Sequence, residues 1–206
     1  NLVVNSEISL DRAEYEKPKL LNEYFTEVKN LINLRKHKIK ATFKDNNLSL
    51  VGSGKIQLEK EFDEIDYSIS QSGDKVNFDS KLHFYKTQFE VERINFSHDK
   101  KSKLQMDISG YYIRKNDLSI DKLLITTKEN KLSLENLLID KYHRIIKFDE
   151  VSLNYFDNDD KKNQVLIKRK QKNNYELNGS LFNANNLISD LLKSKDDKHV
   201  SIFKNN

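Results

Sequence analysis

Five histidines, His37, His83, His98, His143 and His199, are the side chains best suited to proton transfer or metal ligation near neutral pH. None lies within five residues of another, and neither an HExxH nor an HxH arrangement occurs. No histidine-based zinc site is therefore encoded locally. His83 falls on the polar side of its segment, and a solvated surface role is expected. Asp157, Asp159 and Asp160 are spaced like the start of a calcium loop, but the glycine at its sixth place and the glutamate at its twelfth are missing. A hairpin tip, which Asp and Asn suit, is the expected role. Asn178-Gly179-Ser180 sits in no GxSxG pattern, and no P-loop or dinucleotide-binding glycine pattern occurs. The chain has no Cys, which removes thiolate nucleophiles, thiolate metal sites and disulfides together. Carboxylates are numerous but scattered, so no acid/base pair stands out. The chain reads as non-enzymatic, with no catalytic residue, no metal site and no cofactor.

The remaining chemistry is apolar. The 206 residues suffice for one large domain or two small ones. With 36% hydrophobic and 33% charged residues the chain is polar for a globular protein, and its core must be thin. Thirty-six basic and 32 acidic residues give a net charge of +4. The basic excess is lysine dispersed among acids, with no basic block. Nucleic-acid sites favour arginine's planar fork and a clustered positive face, so no nucleic-acid partner is expected. No run approaches the roughly 18 apolar residues that a membrane-spanning helix needs. The sequence starts at Asn1 without Met or signal peptide, and reads as a piece cut from a longer protein.

Five stretches divide the chain. Residues 1–17 read as an N-terminal strand and linker. Residues 18–36 read as an amphipathic helix, with Leu20, Leu21, Tyr24, Phe25, Val28, Leu31 and Ile32 on one stripe and Pro18 in the first turn. From 38 to 182 the period changes to two, in about ten segments such as KVNFDSKLHFY (75–85), QFEVERINF (88–96), KLQMDISGYYI (103–113) and IIKFDEVSLNYF (145–156). Polar breaks of a few residues separate them. Such links are too short for parallel crossovers, so an antiparallel meander is expected. Residues 183–193 read as a short helix started by Asn183 or Asn185, and 194–206 as a mobile tail.

The alternation gives the meander one polar and one apolar face. Strands buried on both faces would read as continuous apolar runs. Phe78, Leu82, Phe84, Phe89, Val91, Leu104, Met106, Ile108, Leu118, Ile120, Leu132, Leu134, Leu153, Tyr155, Tyr175 and Leu177 are the candidates for the apolar lining. A second sheet, closure into a barrel, or a lipid chain could each cover that face. Segments of ten to twelve residues give strands of roughly 35 Å, long enough to curve around a lumen. Gly52, Gly54, Gly110 and Gly179 lie inside segments, where glycine permits a bend or marks a bulge. The fold class expected is mainly β: a long curved antiparallel meander, groove-like, with two short amphipathic helices.

Three stretches carry a resemblance: DLSIDKLLITTKENKLSLENLLID (117–140), FDEVSLNYFDN (148–158) and YELNGSLFNANNLISDLL (175–192). They resemble the AsmA-like superfamily, and within it the large YhdP-like branch with its DUF3971-type region, found in Gram-negative envelopes. There, a strand ending in a glycine-containing turn and a Phe runs into a short helix with paired leucines. Gly179, Phe182, Leu187, Leu191 and Leu192 hold those places here, with Asn183 where Asp is usual. The resemblance implies an elongated β-groove with an apolar interior that binds phospholipid acyl chains. It implies a periplasmic location, an inner-membrane anchor in the full-length protein, and reach toward the outer membrane. Neighbouring groove segments of the same chain are the further partners implied. The alternatives are a closed β-sandwich adhesion module and a jellyroll of the lipopolysaccharide-transport type.

Overall fold

The computed structural model describes residues 3–16, 25, 30–99, 102–114, 117–142, 144–171, 174–186 and 188–189. Its strands are β1 (Val3–Glu16), β2 (Leu31–Lys44), β3 (Asn47–Gln57), β4 (Asp63–Ser72), β5 (Lys75–Phe84), β6 (Phe89–Val91), β7 (Phe96–His98), β8 (Leu104–Ile113), β9 (Leu118–Thr126), β10 (Lys131–Ile139), β11 (Ile145–Lys147), β12 (Glu150–Phe156), β13 (Lys162–Gln171) and β14 (Asn174–Leu181). Most strands pair their sequence neighbours, β5–β8 and β10–β12 being the exceptions, and the result is one 12-stranded antiparallel sheet. Its order is β1-β2-β3-β4-β5-β8-β9-β10-β12-β13-β14, with β11 beside β10 and off this path. The sheet is not closed: β1 and β14 each pair on one side only. β6 and β7 form a separate two-stranded sheet.

The expected meander is therefore present, with three departures. Most of the expected helix (residues 17–24 and 26–29) lies outside the described residues, and Phe25 is in neither helix nor strand. Residues 31–36, expected to finish that helix, open β2 instead. The run Leu31-Ile32-Asn33-Leu34 satisfies a period of two as well as a helical one, and short apolar runs cannot distinguish them. The segment 88–96 is not one strand: a 3-10 turn over Glu92–Ile94 and Asn95 at φ 52° fold it back as the β6–β7 hairpin. The segment 145–156 breaks at Phe148 and Asp149, whose N–H donates to the Glu135 carbonyl (3.0 Å). Residues 185, 186, 188 and 189 are helical, and Asn183 Oδ1 accepts the Asn185 N–H at 3.3 Å. The tail, 194–206, lies outside the described residues.

The core sits at one end of the sheet. Ile32, Phe84, Leu104 and Tyr155 lie near the ends of their strands and are completely buried. The β6–β7 hairpin folds over them as a flap. Phe25, Phe84, Phe89, Phe96 and Tyr155 form a chain of ring contacts with centroids 5.5 to 6.4 Å apart. Hydrogen bonds fix the flap in place. Tyr155 Oη donates to the Ile94 carbonyl (2.7 Å), Ser97 Oγ to Asn158 Oδ1 (2.6 Å), and the Asn158 N–H to the Asn95 carbonyl (2.9 Å).

Candidate functional site

Residues directly opposite in an antiparallel pair share a face, so the register traces which side chains line up across the sheet. One row crosses every strand of the path: Ile8, Ile39, Gly52, Tyr67, Ser80, Ile108, Leu123, Leu134, Val151, Ile167 and Leu177. A second row, nearer the core, runs Gly54, Ile65, Leu82, Met106, Ile125, Leu132, Leu153, Val165 and Gly179. On the other side lie Ala41, Leu50, Ile69, Phe78, Gly110, Ile120 and Leu137. Beyond them come Val4, Phe43, Leu48, Gln71, Val76, Tyr112, Leu118, Ile139 and Ile145. At about 4.8 Å per strand, rows of this kind span roughly 48 Å from β1 to β14.

Among the described residues, this face is covered at the core end and open elsewhere. In β4, exposed and half-buried residues alternate from Glu64 to Ser72, with Ile65, Tyr67 and Ile69 half-buried. A sealed core would bury them fully. Ile108, Leu123, Leu134, Val151 and Ile167 are likewise half-buried, while Ile8 is 45% and Leu177 62% exposed at the two outer strands. Two concavities lie mainly on the polar face, walled by side chains such as Lys40, Ser68 and Asp79, or Ser133, Glu150 and Ser180. Their charges are mixed and converge on no point, so the apolar face is the more informative surface.

The expected lining residues divide into three groups. Phe78, Leu82, Met106, Ile108, Leu118, Ile120, Leu134 and Leu153 are half-buried on the shared apolar face, and Tyr175 and Leu177 are exposed at its β14 edge. Phe84, Leu104, Leu132 and Tyr155 share that face but are sealed in the core by the chain's own flap, so they present no surface to a guest. Phe89 and Val91 belong to the flap, which corrects their expected place in the large sheet.

Alternation alone missed Ile39, Tyr67, Leu123, Leu137, Ile139, Val151 and Ile167. Three of these misses have one cause. Glu135 pairs Lys122 and Leu137 pairs Ile120, so β9 and β10 each carry one extra residue, Asp121 and Asn136. Asn136 adopts φ 53°, a left-handed conformation Asn tolerates. The extra residue switches the parity, placing Leu123, Leu137 and Ile139 on the apolar face. The adjacent polar pairs Asp121-Lys122 and Glu135-Asn136 were the available signals.

The two buried histidines and the Asp157 cluster have structural roles. His37 is not a surface group: it is 1% exposed on the apolar face, where Nε2–H donates to the Lys55 carbonyl (3.0 Å) and Nδ1 accepts from Tyr67 Oη (3.2 Å). Gly52 and Gly54 make room for these rings, since a Cβ on Gly54 would lie 2.4 Å from His37 Cδ2 and one on Gly52 2.7 Å from the Tyr67 ring. His98 is also buried, with Nε2–H donating to the Ser102 carbonyl (2.9 Å). Burial pushes its pKa below the ordinary imidazole value, against the hydrogen bond to Ser102 and the nearby Asp99 charge. His83 does lie on the polar face, 3.8 Å from Asp66 Oδ2.

The Asp157 cluster is a hairpin tip, as expected. Asp157 Oδ1 accepts the backbone N–H groups of Asp159 (3.0 Å) and Lys161 (2.9 Å), and Oδ2 accepts from Asn183 Nδ2 (3.1 Å). Burial raises its pKa, but these bonds together hold it below the ordinary value. Among the described residues no three His, Asp or Glu side chains converge as a metal site requires. No helix among them is long and apolar enough to cross a membrane. Comparison with protein families, curated proteins and solved structures finds no match to this chain.

Proposed function

We propose that this chain is a non-enzymatic lipid-binding segment, holding phospholipid acyl chains along the apolar face of its open sheet. The observation that carries this reading is the largely apolar row from Ile8 to Leu177, broken by Gly52 and Ser80, half-buried along the middle of the sheet, with no second layer over most of its length among the described residues. An acyl chain gains about 0.8 kcal/mol for each CH₂ removed from water. A lining of similar side chains from strand to strand has no deep trap, so a bound chain can move along it. Headgroups stay in water at the strand ends away from the flap. No side chain needs to react.

The larger setting comes from the sequence resemblance to AsmA-like proteins. In that setting the segment lies in the periplasm of an inner-membrane-anchored protein that moves phospholipid between inner and outer membranes. The unpaired edges at β1 and β14 are where neighbouring groove segments of the same chain would add. A β-sandwich adhesion module needs a second sheet packed on the apolar face, whereas β6 and β7 reach only the core end. A lipopolysaccharide-type jellyroll needs two sheets with Greek-key crossings, whereas the large sheet here runs in sequence order.

A photoreactive side chain at Ile108 or Leu134, compared with one at Asp107 or Ser133 on the opposite face, tests the reading. Phospholipid crosslinking from the first pair alone is expected. Equal crosslinking from both faces, or none from either, removes it.

A further inference from the structure

The loop between β10 and β11 shares the backbone clamp of the Asp157 tip and adds an arginine to it. Asp140 Oδ1 accepts the backbone N–H groups of Tyr142 (2.9 Å) and Arg144 (3.0 Å), and Oδ2 binds the Arg144 guanidinium through Nε (2.9 Å) and Nη2 (2.7 Å). This clamp presents Tyr142 at the apex with 63% of its surface in water. Two cations flank its ring, Lys141 Nζ at 5.0 Å and Arg144 Cζ at 5.1 Å from the centroid. Ile146 follows, 38% exposed.

Both carboxylates that frame the loop are already neutralised: Asp140 by Arg144, and Asp149 by Arg169 (3.4 Å) and the Asn136 amide (2.9 Å). Among the described residues, Lys141 and Lys147 have no carboxylate within ion-pair distance. The tip is thus locally positive and carries an exposed amphipathic ring and an exposed isoleucine. Tyrosine rings settle at the headgroup level of a bilayer, and lysines beside them are drawn to anionic headgroups.

We propose that this tip docks on the surface of a bilayer containing anionic phospholipid, with Tyr142 and Ile146 at the headgroup level and Lys141 and Lys147 on the phosphates. The site stands apart from the apolar face and does not depend on lipid binding there. It lies at the strand ends opposite the flap.

The chain contains no Trp, so Tyr142→Trp installs a single reporter. Its emission is expected to shift to the blue with vesicles of equimolar phosphatidylglycerol and phosphatidylcholine, and to be quenched by brominated acyl chains. Phosphatidylcholine vesicles alone, and a Phe156→Trp reporter beside the acidic Asp157 loop, are expected to give no shift. In cosedimentation of the otherwise unaltered protein, Lys141→Ala with Lys147→Ala is expected to weaken binding to the anionic vesicles about 25-fold, from about fivefold per lysine. No shift at Tyr142→Trp, an equal shift with neutral vesicles or at Phe156→Trp, or unchanged cosedimentation of the double variant overturns the proposal.

Discussion

Placing a carboxylate at Ile108 separates an open apolar face from a sealed core. Ile108 is half-buried, and its cross-strand partners are Ser80 and Leu123. The burial lost from the isoleucine is about half of that for a fully enclosed side chain, or about 1 kcal/mol. A glutamate there keeps its water, because Ile108 is only half-buried and no described residue closes over it. At about 2–4 °C per kcal/mol for a chain of this size, Ile108→Glu should lower Tm by only a few degrees. Phe84 provides the contrast, since it is completely buried against Leu104 and the flap. Phe84→Ala should cost about 3–5 kcal/mol and roughly 6–20 °C. The effect on a bound acyl chain runs the other way. The hydrated carboxylate removes contact with about four CH₂ groups, which is about 3 kcal/mol or roughly 150-fold in affinity. Thermal unfolding and lipid occupancy measured on both variants separate the cases. Leu82 and Met106 are poorer probes, because both pack against the core cluster. An Ile108→Glu protein as destabilised as Phe84→Ala, or one that keeps its lipid, refutes the reasoning.

Other expectations follow from particular contacts. Gly54→Ala drives a Cβ into His37 and should destabilise by about 1–3 kcal/mol; adding His37→Ala should recover part of that loss in a urea-unfolding cycle. Asn136→Ala loses the left-handed tolerance of Asn and the bond to Asp149, costing about 2 kcal/mol, whereas Asn136→Gly should cost less. Asp140, held to about 2 chiefly by the Arg144 hydrogen bond, contributes stability that is complete above the ordinary 3.8 and lost as pH falls from there toward 2; Arg144→Ala should flatten that slope. Tyr155, pushed up to about 12 by burial and then by the Asp157 charge, contributes stability that is complete below the ordinary 10.0 and lost as pH rises from 10 to 12; Tyr155→Phe should remove that dependence.

The architecture was legible because antiparallel pairing of neighbours needs only alternation and short polar links, and both are plain from Lys38 to Phe182. The boundaries failed where two signals agree with two structures. Leu31 to Leu34 fit a helix and a strand equally, and β-pairing with Tyr15 and Ile56 decided between them. The flap was hidden because QFEVERINF alternates like its neighbours, and only Asn95 marks the reversal. In β9 and β10 the reading of the apolar face failed where a bulge switched its parity, as at Asn136. Which part of that face is sealed could not be read at all. Phe84 and Phe78 occupy equivalent places in one alternating segment, yet only Phe84 lies under Phe25 and the β6–β7 hairpin. That difference is set by contacts distant in sequence.

Native mass spectrometry of the protein purified without detergent from phospholipid-containing cells tests the central claim most directly. The account predicts a folded species carrying additional mass equal to whole phospholipids, lost in the Ile108→Glu variant. A folded, homogeneous species at the bare polypeptide mass, which takes up no phospholipid when offered, would contradict it.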